Sequence, residues 1–184
     1  MGADPFTSAD RFPEAVVDAL FARRVVLVRG VLDDVQASDV AAALMTLDAT
    51  GDEHVELRVG AAVGTIEAGL AVTDVMAVLG VPVHTVGLGL IGGGAVAVLA
   101  AGDRRVLTRH ARLHLREPDA SVAGSATDIE RAVAEQAGRR ALFQQLLARR
   151  TGRPEADVIG EWAAGRFLDA EDAVTLGYAD AVQG

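Results

Sequence analysis

Residues 87–102 read GLGLIGGGAVAVLAAG. A strand-like apolar run, three consecutive glycines (Gly92, Gly93 and Gly94) and an alanine-rich stretch make the pattern of a tight strand-to-helix turn. Enzymes hold nucleophiles in turns of this kind. No residue of this turn can act as one. The serines are Ser8, Ser38, Ser121 and Ser125, all elsewhere, and the chain contains no cysteine, which also removes disulfides and thiolate metal ligands. Thr65 lies in a second glycine-containing turn, AAVGT at 61–65, with no base evident beside it. His54, His84, His110 and His114 are scattered and no carboxylate cluster accompanies them, so no metal site and no cofactor are expected.

The elements that must position these turns belong to a globular chain. With 184 residues and 51% hydrophobic content, one domain with a sizeable core is expected. Aromatics are only 4%, so Val, Leu, Ile and Ala must build that core. A net charge of -9 argues against a nucleic-acid partner. No apolar run reaches the length of a membrane span and no signal peptide is recognised, so a cytoplasmic protein is expected. The opening MGADPFT matches nothing downstream and reads as a vector scar over residues 1–7, leaving a single domain at 8–184.

Along the chain, residues 13–23 predict a short amphipathic helix and RVVLVRG (24–30) a buried strand closed by glycine. Acidic residues at Asp33 and Asp34 open a helix whose apolar positions are Val35, Val40, Leu44 and Leu47. HVELRVG (54–60) alternates as a second strand. A turn and a helix follow, with Ile66, Leu70, Val72, Val75 and Leu79 on its apolar face. VPVHTVGLGL (81–90) predicts a third strand, GGGAVAVLAAG a turn and helix, RRVLTRH and RLHLREP two short strands, 127–150 one long helix, and 169–177 another with acidic residues at its start. Trp162 is expected to pack rather than to bind a ligand. Strands alternating with helices predict α/β layering with right-handed parallel crossovers.

Several stretches, in order, resemble one family. AGLAVTDVM (68–76) is similar to AGLAIYDTM of the Clp protease proteolytic subunit, VLAAG (98–102) to the end of its nucleophile helix, and RRTGRP to a segment ending HTGQP. ATDIE (126–130) resembles the start of its handle helix, and RFLDAEDAVTLGYAD resembles FMSAEEAKEYGLID. The resemblance covers about residues 20–182. It implies an α/β fold of the Clp/crotonase type, with repeated β-β-α units and a protruding handle helix at about 127–150.

The family is a Ser-His-Asp peptidase, in which serine attacks, histidine takes its proton, aspartate orients the histidine and backbone amides hold the oxyanion. Carried over position by position, the serine of the family's AASMGA falls on Gly93, the histidine on Arg116 of HLREP, and the aspartate preceding Arg-Phe on Gly165. Arginine is always protonated and cannot serve as a base. His114, two residues earlier on the same strand face, is the best surviving candidate for a histidine role, and Glu161 and Asp169 are the nearby acids. The oxyanion turn SPGGS appears as AAVGT, which keeps one glycine as Gly64. Gly94 would supply the second amide. The alternative is that Gly64 and Gly94 only permit tight turns.

The expectation is therefore a catalytically inactive, ring-forming or regulatory subunit. It would assemble as a homo-oligomer, in a heptameric ring or double ring, or as a hetero-oligomer with an active Clp proteolytic subunit, being part of an ATP-dependent endopeptidase only in that complex. Docking of an ATPase unfoldase through the family's apolar pocket is not expected, because Glu56 and Arg58 stand at the tyrosine-like positions of IYLYIN. A second expectation comes from LIGGGAVAVLAAGDRRV, which is similar to the crotonase turn ALGGGxELALACDxRIA. Such an acyl-CoA enzyme would need oxyanion amides and no serine.

Overall fold

The structure, a computed structural model, describes residues 14–116 and 125–184. The expected scar at 1–7, Pro13, Ser8, Ser121 and the Glu117–Pro118 strand end lie outside the described residues. The elements in order are α1 (Glu14–Phe21), β1 (Val25–Leu32), α2 (Asp34–Ala49), β2 (Val55–Gly64), α3 (Ile66–Val78), β3 (Val83–Gly87), β4 (Leu90–Gly92), α4 (Gly94–Ala101), β5 (Arg104–Thr108), β6 (Arg112–Leu115), α5 (Ala126–Thr151), α6 (Glu155–Ala163), β7 (Arg166–Leu168), α7 (Ala170–Thr175) and β8 (Ala181–Gln183). They build a five-stranded sheet in the order β1-β2-β3-β5-β8 and a three-stranded sheet in the order β4-β6-β7. Every pair in the larger sheet is parallel. This is the α/β architecture expected of the Clp type.

Alternation dictates the larger sheet. Val55, Leu57, Val59 and Ala61 of β2 are each 0% exposed, and the residues between them are half-buried. The buried face packs on α2, α3 and α4. α4 is apolar all round and every residue in it is buried, as a helix in the centre of a domain must be. Helix starts follow the acidic and hydroxyl residues: Asp33 accepts the Gln36 amide (2.9 Å) and Asp169 that of Asp172 (2.8 Å). Among the described residues no helix is long and apolar enough to cross a membrane.

Two local expectations change. VPVHTVGLGL is not one strand: Gly89, at φ +59°, turns the chain out of β3 and into β4 of the other sheet. An uninterrupted apolar run cannot announce such a switch, because both halves are buried. Val35, expected on the buried stripe of α2, is 70% exposed; Ala37 takes its place beside Val40, Leu44 and Leu47. The long helix spans 26 residues and is anchored only near its C-terminal end, where Phe143 and Leu147 are 0% exposed. Phe143 meets Trp162 edge-on at 4.9 Å, so Trp162 does pack in the core. At the opposite end Ile129 (38%) and Val133 (55%) face solvent.

The C-terminal segment is tied in by one guanidinium. Arg105 of β5 donates to the Gly177 carbonyl (2.7 Å) and the Arg150 carbonyl (3.0 Å) and pairs with the Asp180 carboxylate. That pairing holds the Asp180 carboxyl below its usual range.

Two helical glycines should respond oppositely to alanine. A Cβ on Gly69 of α3 would sit 2.5 Å from the Gly94 carbonyl oxygen, whereas one on Gly138 of α5 meets nothing within 4 Å. Gly138→Ala should raise stability by about 1 kcal/mol, the ordinary helix-propensity gain. Gly69→Ala should lower it by roughly 1–3 kcal/mol. Thermal unfolding of both variants checks the difference in sign.

Candidate functional site

The three-stranded sheet gathers the positions singled out in the sequence. Gly92 pairs with His114 across β4 and β6, and His114 pairs with Phe167 across β6 and β7. Gly93 follows directly on β4, Arg116 follows β6, and Gly165 precedes β7. Leu115 and Arg166 form the last pair of β6 and β7, so Arg116 and Gly165 stand one step beyond it, opposite each other. Residues 93, 116 and 165 thus meet at one end of one small sheet.

Gly93 is the residue before α4, at φ 56° and ψ −137°. The backbone makes a sharp strand-to-helix turn here. Its surroundings leave no room for a side chain. A Cβ on Gly93 would collide with the Gly64 carbonyl oxygen and stand 3.0 Å from the Gly64 amide nitrogen. A Cβ on Gly92 would strike the Ala62 carbonyl, and one on Gly94 the Thr65 carbonyl. The glycine turn therefore lies backbone against backbone on residues 62–65. Gly64 and Gly94 occupy adjacent turns, as an oxyanion site would require, but the Gly64 carbonyl fills the space a Gly93 side chain would use. Thr65 is committed to capping α3, its hydroxyl accepting the Ala68 amide at 3.1 Å.

His114 is half-buried and its ring stacks on Phe167, with centroids 3.9 Å apart and planes 7° apart. The Arg112 guanidinium lies 5.2 Å from the same Phe167 ring. Burial, and then the charge of Arg116, hold the His114 imidazole below its usual pKa. A neutral imidazole could accept a proton, but the residue it faces across the ladder is Gly92. The nearby acids are engaged elsewhere. Glu161 is clamped by Arg153 (2.6 and 3.1 Å) and Arg166 (3.0 Å), and Asp169 caps α7. Arg116 is exposed, and Gly165 sits at φ 62° in the turn closing α6.

The structure joins two other histidines that are far apart in sequence. His54, just before β2, stacks on His84 of β3 at 4.2 Å. Burial first, then His54 and Arg104, lower the His84 pKa. The β2–β3 register, which pairs Glu56 with His84, creates this contact, and no sequence spacing could have announced it. Among the described residues no group of three or more His, Asp or Glu side chains could hold a metal ion. On the same face Glu56 and Arg58 pair with each other at 2.6 Å.

The model of the family described as Clp protease matches residues 9–184. The chain is 28% identical to ATP-dependent Clp protease proteolytic subunit 1 of Frankia casuarinae, over 97% of this chain and 85% of that protein. It is 27% identical to proteolytic subunit 3 of Rhodococcus jostii, over 93% and 86%. It is also 27% identical to proteolytic subunit 2 of Tropheryma whipplei, over 92% and 96%.

Two outcomes follow from this geometry. Gly93→Ser, which restores a nucleophile type, should lower stability by roughly 1–3 kcal/mol because its Cβ must displace the Gly64 carbonyl. Urea unfolding measures this, and an unchanged midpoint would refute the closed turn. For His114 the folded pKa is depressed, so the unfolded chain takes up its proton first as pH falls. Stability should therefore decline as pH drops below about 6.5 and level off beneath the folded pKa. His114→Gln should flatten that slope, and NMR titration of the imidazole should place its pKa under the ordinary value.

Proposed function

The chain belongs to the Clp protease family, and we propose that within it this protein is a ring-forming subunit that does not cleave peptides. The observation that carries the reading is the content of the meeting point at the end of β4, β6 and β7: two glycines and an arginine, at residues 93, 165 and 116. None can attack a carbonyl, none can accept a proton at neutral pH, and none can orient a histidine. The loss of one triad member already removes most of the rate, leaving what an oxyanion site and binding supply. Here the packing of Gly93 against Gly64 argues that the glycines serve the turn and that Gly64 and Gly94 no longer hold an oxyanion. The same closure weighs against an acyl-CoA enzyme.

Assembly is supported by α5. A surface helix that leaves Ile129 and Val133 in water has the kind of surface that a subunit buries against another copy. The curated relatives are likewise named as subunits. We take the assembly to be a heptameric ring or double ring in the cytoplasm, alone or mixed with an active proteolytic subunit. The Glu56–Arg58 pair on the open sheet face disfavours insertion of an apolar ATPase loop.

The purified protein should not react with a fluorophosphonate probe and should not hydrolyse fluorogenic peptides above the level of a blank. Covalent labelling together with hydrolysis that co-elutes with the protein would sink the proposal.

A further inference from the structure

The larger sheet ends on one side at β1, whose outer edge has no neighbouring strand. The Arg24 carbonyl accepts the Glu56 amide and the Leu32 carbonyl accepts the Thr65 amide. Even-numbered residues of β1 therefore turn their peptide groups towards β2, and those of Val25, Leu27 and Arg29 point outward. Arg29 is plugged. The Gln36 side chain accepts its N–H (3.2 Å) and donates to its carbonyl (2.7 Å), as a paired strand would. Val25 and Leu27 have no such plug, and among the described residues nothing pairs with their outward N–H and C=O groups. They are two free rungs of a ladder.

A groove runs beside these rungs. Val17, Leu20 and Phe21 of α1 line it together with Val40 and Ala43 of α2, and Val25 and Leu27 themselves. Val17 is 45% exposed, so the groove is open to solvent along α1. Its volume is about 260 Å³. That is room for one large apolar side chain, and it falls below the ~300–1,000 Å³ of pockets that enclose small molecules. Arg29 and Asp39 both border the groove with opposite charge, so it selects by shape and hydrophobicity rather than by charge.

We propose that the β1 edge is a strand-addition site for an extended peptide, which pairs with Val25 and Leu27 and places one large apolar side chain between α1 and α2. In contacts of this type main-chain bonds supply affinity and the side-chain slot supplies selectivity. The Gln36 plug ends the added strand at Arg29. The occupant is a peptide rather than a second copy of this chain, because of scale. Two rungs and one slot fall far short of the ~1,600 Å² that a stable interface between folded proteins buries. The site goes beyond the non-cleaving reading, since none of its groups lies at the meeting point of residues 93, 116 and 165.

Fluorescence anisotropy and amide hydrogen exchange on the full chain test it. The probe is a fluorescein-labelled neutral peptide, STVLVTS with blocked ends. It should bind saturably. A twin N-methylated at every internal amide, and a second twin with Asp in place of Leu, should each bind roughly tenfold or more weakly. Val17→Asp, a surface change whose folding circular dichroism checks, should weaken the parent peptide to a similar degree. Saturating peptide should slow exchange at the Val25 and Leu27 amides and leave that of Arg29, already held by Gln36, unchanged. No saturable binding, equal binding of the N-methylated twin, full affinity in Val17→Asp, or unaltered exchange at Val25 and Leu27 would each overturn the site. So would Val25 and Leu27 amides already protected in the protein alone, because another part of the chain or a second copy then holds the edge.

Discussion

The fold turns on one close approach, that of the glycine turn before α4 to the end of β2. Three carbonyl groups, of Ala62, Gly64 and Thr65, occupy the positions where side chains of residues 92, 93 and 94 would project. Contact of backbone with backbone brings α3 against α4, and the Cα of Gly69 against the Gly94 carbonyl extends it by another turn. α4 can then be entirely buried and made of Ala, Val and Leu, with both sheets arranged around it. The chemistry of the site is subordinate to this packing. Glycine at these positions answers a steric demand from the opposing strand, and a reactive side chain is what that demand excludes.

The ionic groups around the site tell the same story. In an acid–base site the carboxylate is kept for the histidine. Here Glu161 is shared by two arginines, Asp169 holds a helix end, and His114 lies flat against Phe167. Glu161 and Asp169 are thus committed to ion pairing and helix capping, and His114 to ring stacking. Polar groups of this kind are held by partners in the fold, and these three side chains are held by structural ones.

How far the sequence reveals this differs from element to element. β2 is legible because Val55, Leu57 and Val59 alternate with polar residues, and α2 and α7 because an acidic cap opens each of them. The β3–β4 break was hidden, since a switch between two buried sheets leaves hydrophobicity unchanged and only Gly89 marks it. α6, β7 and β8 leave little signature, because elements of nine and three residues carry too few turns or alternations to stand out. Val35 is ambiguous in the sequence because two stripes on α2 both satisfy helical spacing, and the structure leaves it exposed. Around the small sheet, the resemblance pointed to the three segments carrying residues 93, 116 and 165, which the β4–β6 and β6–β7 pairings join. The carbonyls that close the glycine turn and the His54–His84 stack were not legible, because both arise from register between strands.

The long helix α5 has a mechanical side. Its last third is fixed in the core by Phe143 and Leu147, while about 17 residues, roughly 25 Å at 1.5 Å per residue, extend beyond that root. It is built as a cantilever. A tilt of about 10° at the root would swing the tip by about 4 Å. The exposed Arg139–Glu67 pair at 3.0 Å ties this part to α3, and exposed pairs of this kind resist little. Rigidity at the tip must come from whatever the tip touches, so small changes at the root are geared up into large displacements at the far end.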